Sequence, residues 1–397
     1  MTLCVAILTA VAICLTAIQW HRQHAFRCLR AGAHLFTTSK GPVESALIGS
    51  GPPVLLLHGG MGGWDQAVGL GVSLLSQSDA GYDYHQSIRE ADGVLQNQFT
   101  LIAPSRVGYL RTPLTTGRTP ADGADAMAAL LDKLAIPQAV VIGVSGGGPT
   151  ALQFALRHPS RTSALIMVAA ITKRHLQPTR TTDSLVGKIV FAQGFSFLLD
   201  LIYATTLSYI KLCPLSFAKY LLRATEIPPL NSSLPPYQGG TKGGHSESQQ
   251  SDQSRAREEA VKQRTGSEWF HHRLSTIRHE PNQIRWMYSL IRSGYPLRAR
   301  KIGLNNDLAQ FAAIEDYPVE RITCPTLVVH GRHDGNVPFD HAEFVASRVP
   351  GVKLLVAESA GHLLWMSPDE PLIRSAVLDF AKKHASQAPK LDAQGSI

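Results

Sequence analysis

Six stretches of this chain are apolar at nearly every position rather than at every second one. They are "PVLLLHG" (Pro53 to Gly59), "FTLIAPS" (Phe99 to Ser105), "AVVIG" (Ala139 to Gly143), "ALIMVAA" (Ala164 to Ala170), "PTLVVHG" (Pro325 to Gly331) and "VKLLVAE" (Val352 to Glu358). A strand with one face in water alternates; a continuous apolar run is buried on both faces, as in a parallel sheet. Helical spacing fills the intervals. "PADGADAMAALLDKLAI" (Pro120 to Ile136) and "GGPTALQFALRHP" (Gly147 to Pro159) both have it, and the second has a proline near its start and another closing it. Strands alternating with helices predict an α/β fold, a doubly wound and mostly parallel sheet. The weaker runs between Ala33 and Gly49 predict an antiparallel hairpin at its edge.

Two regions interrupt the alternation. The polar stretch Ser76 to Gln98 reads as an insertion between a helix and the next strand. A larger one, from about Ile171 to Tyr317, reads as a helical cap. Its apolar part, Leu185 to Leu222, is broken by Lys188, Asp200 and Lys211, which argues for helices over an apolar surface and against a membrane span. Its middle, about 231–265, is rich in Ser, Gln, Gly and charge and is expected to be disordered. The expected organisation is therefore 1–30, 31–170 (first part of the core), 171–317 (cap), 318–385 (second part of the core) and a tail, 386–397.

The N-terminal piece has its own signal. Leu3 to Trp20 carries no charge, and "HRQHAFRCLR" follows it. As a helix it would be about 27 Å long against a hydrocarbon core of about 30 Å. No basic residue precedes the run, unlike a secretory signal, and the basic flank would stay cytosolic. The expectation is a single-pass N-terminal transmembrane helix with the catalytic domain on the cytosolic side. The formal charge of +8 is spread along the chain without a basic tract interleaved with stacking aromatics, which argues against a nucleic-acid partner. Cys4, Cys14, Cys28, Cys213 and Cys324 have neither metal-ligand spacing nor a disulfide framework, so no metal is expected.

The chemistry concentrates in "GVSGG", Gly143 to Gly147, which matches G-x-S-x-G between an expected strand and an expected helix. A strand turning sharply into a helix strains the residue at the turn and needs small neighbours. The hydroxyl of Ser145 is then held at the carboxyl end of the sheet, where open α/β sheets bind ligands. A serine nucleophile needs a base, and the base needs an orienting partner. "VVHGRHDGNVP" places Asp334 after one expected strand, and "ESAGHLLWMSPDEP" places His362 after the last. Asp307, Asp340, His333 and His341 compete for these roles, but none combines equivalent strand-end placement with a small-residue turn. An oxyanion needs donors. In "HGGMGGWDQ" the amide of Gly60 is expected to pair with that of Gly146, with Met61 next if the turn is shifted by one; His58 braces the loop. In "PSRVGYLRTP", Arg106 either orients this wall of the site or binds an acidic group of the substrate.

Together, "LLLHGGMGGWDQ", "LIAPSRVGYLRTP", "VVIGVSGGGPTALQFALRHP", "VVHGRHDGNVPFDHAEF" and "AGHLL" resemble the α/β-hydrolase superfamily, in its esterase, lactonase and prolyl-aminopeptidase-like branch. The resemblance covers about Pro53 to Ala170 and Glu320 to Lys382. It implies a Ser145–His362–Asp334 triad, no cofactor, and a small-molecule ester or lactone as substrate, cleaved through an acyl-serine. The apolar cap and the anchor imply a lipophilic one. Two alternatives use the same fold: acyl transfer or carbon–carbon hydrolysis by the same triad, and a catalytically silent membrane-bound binding protein. An aminopeptidase would need acidic cap residues; Glu258, Glu259 and Glu268 lie in or beside the polar stretch.

Overall fold

The computed structural model describes residues 9, 16, 19–20, 22–76, 88–176, 196–227 and 266–385. The chain opens with an antiparallel pair, β1 (His34–Thr38) and β2 (Gly41–Ile48), then β3 (Pro53–Leu57) and helix α1 (Trp64–Leu75). After α2 (Ile88–Leu95) come β4 (Thr100–Pro104), α3 (Pro120–Lys133), β5 (Ala139–Val144), α4 (Gly148–Arg157) and β6 (Thr162–Val168). The cap follows as α5 (Ser196–Leu212), α6 (Pro214–Thr225), α7 (Gly266–His279), α8 (Pro281–Arg292) and α9 (Lys301–Ala312). The core resumes with β7 (Thr326–Gly331), α10 (Asp340–Ala346), β8 (Lys353–Ala357) and α11 (Glu370–Ala385).

The eight strands form one sheet in the order β1-β2-β4-β3-β5-β6-β7-β8. β2 runs antiparallel to both neighbours, and every other pairing is parallel. The edge hairpin and the six strands after it fall where the apolar runs predict them, with β8 half-buried at the other edge of the sheet. Successive side chains of one strand point to opposite faces, and both faces are covered. Val54, Leu56, Val140, Ile142, Ile166 and Val329 pack with Val68 and Leu75 of α1 and Val377 of α11. Leu55, Leu57, Val141, Leu165 and Val328 pack with Met127 and Leu130 of α3 and Leu152 and Phe154 of α4. That double burial explains why these strands lack alternation. α3 starts where its sequence says it should: Thr119 and Asp122 form a reciprocal capping box with Pro120 just inside.

The polar stretch Ser76 to Gln98 is only partly an insertion. Residues 77–87 lie outside the described residues, but α2 buries Ala91 and Leu95 in the core, and Asp92 accepts a hydrogen bond from the Gly49 amide at 2.7 Å. The segments about 231–265 and 386–397 also lie outside the described residues. So does the expected membrane helix, Leu3 to Trp20, apart from Thr9, Thr16, Gln19 and Trp20. Among the described residues no single helix is long and apolar enough to cross a membrane; the apolar cap pair α5–α6 bends by 118° at its break. The basic flank is helical over 22–31 and packs Ala25 and Leu29 against the core.

The cap shares one apolar core with the sheet. Leu207, Ile210, Phe217, Ala218, Leu222, Ile277 and Met287 join the same buried cluster as α1 and α11. Trp286 of α8 stacks on Trp365, just after His362, with ring centroids 4.8 Å apart.

Candidate active site

β5 ends at Val144, and the chain turns at once into a short 3-10 turn that leads into α4. Ser145 sits on that turn with φ 50°, a left-handed conformation that a side chain rarely adopts. The turn is possible because its neighbours lack side chains. A Cβ on Gly147 would lie 2.2 Å from the Leu57 carbonyl oxygen, and one on Gly143 would lie 2.6 Å from the Ala151 Cβ. Helix and strand therefore pack at backbone contact, and the hydroxyl is carried to the carboxyl end of the sheet.

The loops after β7 and β8 meet it there. Ser145 Oγ lies 3.0 Å from His362 Nε2. His362 Nδ1 lies 2.8 Å from Asp334 Oδ2. With Nδ1–H donating to the carboxylate, Nε2 is left as the acceptor for the serine proton. The Asp334 carboxylate also accepts from the amides of Asn336 and Val337 through Oδ1, at 2.9 and 2.8 Å. Burial alone would raise its pKa; His362 and His330 outweigh that and hold it well below the usual carboxylate range. His330 reaches Asp334 Oδ2 at 3.3 Å while donating to the Val337 carbonyl at 2.8 Å. Ser145, Asp334 and His362, far apart in the chain, are thus within bonding reach. Three of the four competing residues are engaged elsewhere, Asp307 with Arg106, Asp340 with Lys173 and His341 with Thr172, and the fourth, His333, holds the Ile227 amide through its carbonyl.

The loop after β3 lies against the serine. A Cβ on Gly59 would be 3.3 Å from the Ser145 Cβ, and one on Gly146 would be 3.4 Å from the Gly60 nitrogen. The backbones of Gly60 and Gly146 therefore approach closely beside the hydroxyl. The backbone N–H of Met61, the alternative donor, faces the Tyr109 hydroxyl. Arg106 does not present its charge to a substrate. It is buried; its guanidinium donates to both Asp307 oxygens, at 3.0 and 2.5 Å, to the His58 carbonyl at 2.8 Å and to the Gly59 carbonyl at 3.3 Å. Of its two expected roles, the geometry matches the orienting one.

Helix α9 roofs this corner. Phe311 and Leu304 come to 3.1 and 3.9 Å of where a Cβ would stand on Gly146 and Gly60. Phe311 packs with Ile171, Ile314 and Val337 in a small apolar cluster of its own. Ile171 donates its amide to the Ser145 carbonyl at 3.0 Å, and the Val337 amide holds Asp334. Phe311 and Leu304 thus close over the two glycines beside Ser145. Among the described residues no group of three or more His, Cys, Asp or Glu side chains is arranged to hold a metal.

Glu226 and Arg273 stand in no motif that would mark them in the sequence. Glu226, at the end of α6, forms an antiparallel bridge with Asp334. Its side chain lies against Gly361, where a Cβ would come to 2.2 Å of Glu226 Cγ. Arg273 of α7 pairs with it at 2.8 Å, and both side chains are fully buried. The Gly335 amide donates to Thr225, and the Ile227 amide donates to His333, each at 2.9 Å. The acid loop and the histidine loop therefore both rest on one turn of the cap.

A family model described as the alpha/beta hydrolase fold matches residues 52–368. An uncharacterized hydrolase of Bacillus subtilis strain 168, YcgS, is 25% identical over 349 residues, 87% of this chain and 96% of that protein. Among solved structures, an alpha/beta hydrolase fold protein from Nakamurella multipartita superposes with a TM-score of 0.64 at 25% identity, covering 88% of this chain and 99% of that one. A thermophilic esterase from Thermogutta terrifontis shares the fold at a TM-score of 0.52 and 20% identity, over 89% and 99% of the two chains.

Proposed function

The chain belongs to the alpha/beta hydrolase fold family, and on that premise we propose that it cleaves a carboxylic ester or lactone through an acyl-serine intermediate. The observation that carries the reading is the continuous path from Ser145 Oγ to His362 at 3.0 Å and from His362 to Asp334 at 2.8 Å. In the first step the Ser145 oxygen attacks the substrate carbonyl while His362 Nε2 takes the hydroxyl proton. Asp334, already ionised, holds the imidazole in the tautomer that leaves Nε2 free and stabilises the imidazolium that forms. The carbonyl oxygen becomes an oxyanion facing the amides of Gly60 and Gly146. His362 then returns the proton to the departing alkoxide, and water repeats the sequence on the acyl-serine.

The substrate is neutral and apolar next to its carbonyl. Support comes from the surroundings: Ile171, Phe311, Ile314 and Val337 cluster beside the serine, and the nearby cation, Arg106, is already matched by Asp307. A fluorophosphonate probe tests the nucleophile. Wild-type protein is expected to label, and Ser145→Ala to lose labelling while keeping its melting profile. Folded wild-type protein that fails to label would end the reading. A panel of chromogenic esters of graded chain length, with lactones, then defines the acyl group.

A further inference from the structure

We propose that His58 and Arg106 fix both the aim and the strength of the Gly60 amide as an oxyanion donor, by gripping the carbonyl of the same peptide unit. The inference rests on the serine-hydrolase reading above and concerns how its oxyanion site is built.

The peptide joining Gly59 to Gly60 is planar and trans; among the described residues Tyr295–Pro296 is the cis bond. The Gly59 carbonyl and the Gly60 N–H therefore point in opposite directions, and holding one aims the other. The Gly59 carbonyl is held twice, by His58 Nδ1 at 2.7 Å and Arg106 Nη2 at 3.3 Å. His58 can donate from Nδ1 because its Nε2 accepts the Arg106 backbone N–H at 3.0 Å. Burial and the Arg106 charge push the His58 pKa well below its usual value, which keeps the ring in that neutral form. Arg106 Nε also holds the preceding carbonyl, that of His58, at 2.8 Å. Asp307 fixes the guanidinium, and Tyr109 donates to the same carboxylate at 2.6 Å. The carbonyl end of this peptide is thus tied to groups that are themselves held.

The grip also acts on charge. Two donors on one carbonyl oxygen, one of them cationic, draw electron density towards it. The amide at the other end of the unit becomes a stronger donor, as in any polarised hydrogen-bond chain. The Arg106 guanidinium lies 3.4 Å from where a Cβ on Gly146 would stand, so its charge is buried close to the growing oxyanion. A fixed cation there needs no reorganisation as the transition state forms. Arg106 and His58 are positioning residues: neither touches the substrate, His58 acting through the peptide and Arg106 through the peptide and its field.

Arg106→Lys tests this. Lysine keeps the charge opposite Asp307 but lacks the fork that reaches both carbonyls. The paired variant Arg106→Gln/Asp307→Asn, neutral and matched, is measured in parallel so that the test does not depend on one variant folding. Deleting an oxyanion donor outright costs about 100- to 1,000-fold in turnover, so loosening one is expected to cost about 10- to 100-fold in kcat. KM for the ester is expected to stay within roughly twofold. Affinity for a trifluoromethyl ketone, whose serine adduct carries the oxyanion, is expected to fall in step with kcat/KM. The pH midpoint of kcat/KM is expected to stay in place. A loss confined to KM, or an unchanged trifluoromethyl ketone affinity, overturns the inference. Fluorophosphonate labelling of the wild-type protein separates the two ideas: unlabelled Ser145 sinks the hydrolase reading itself, whereas labelled Ser145 with unaltered ketone binding sinks only this one.

Discussion

Ser145 occupies a backbone conformation that costs a side chain roughly 1–3 kcal/mol. Its φ of 50° is imposed by β5 and α4 meeting with only glycine between them. The strain belongs to the site and leaves with the side chain. Ser145→Gly is therefore expected to melt above Ser145→Ala, by an amount matching about 1 kcal/mol or less once glycine's extra unfolded freedom is subtracted. Thermal unfolding of the two variants checks this, and equal midpoints would mean the turn is unstrained. The same residue shows why this part of the site was readable in advance. A hydroxyl flanked by glycines at a strand-to-helix junction is a local pattern, because the sterics that demand it act over five residues of chain. Asp334 and His362 were readable for a related reason: each follows directly on an apolar run that ends at the same edge of the sheet.

At the level of elements, the parallel strands were legible because burial on both faces leaves a mark in every residue, and α3 and α4 because one face of each is apolar. The cap's grip on the site was not. Glu226 meets Arg273 across 47 residues, Arg106 meets Asp307 across 201, and Arg300 meets Asp65 across 235. A pairing between distant charges creates no periodicity, and each partner alone resembles a surface residue. Asp307 stood out only as a rival acid, and the acidic cap residues weighed from sequence were Glu258, Glu259 and Glu268. The Glu226–Arg273 pair carries the next expectation. Glu226→Gln leaves the buried Arg273 charge unmatched, which typically costs about 3–5 kcal/mol. Because Glu226 supports the loops of Asp334 and His362, the ester turnover proposed above is expected to fall as well. Glu226→Leu/Arg273→Met, which removes both charges, is expected to recover most of the stability. Denaturant melts of the single and double variants decide it; a single variant as stable as wild type would show that the pair does not hold the cap turn in place.

The whole molecule buries imidazoles that do not charge while it is folded. Burial lowers the pKa of His58 well below 6.5, that of His333 to about 4 and that of His341 to about 3. The unfolded chain takes up protons on these residues as pH falls below about 6.5, and the folded chain does not. Each withheld proton costs about 1.4 kcal/mol of stability per pH unit. The loss continues until the folded groups themselves titrate. Stability is therefore full above pH 6.5 and is expected to fall steadily from there towards pH 4. Melting temperatures taken across that window test it, and a flat profile would contradict the burial of these rings.

Two of the long-range ion pairs join the cap to the core at different points, Arg300 to Asp65 at the start of α1 and Asp307 to Arg106 beyond β4. Lifting the cap as a flap would break both buried pairs at once, leaving Asp65 and Arg106 of the core without their partners. A roof nailed down at separate corners does not swing. On the hydrolase reading proposed above, a guest would have to thread between the nails to reach the Ser145 hydroxyl, and girth is expected to screen substrates before reactivity does.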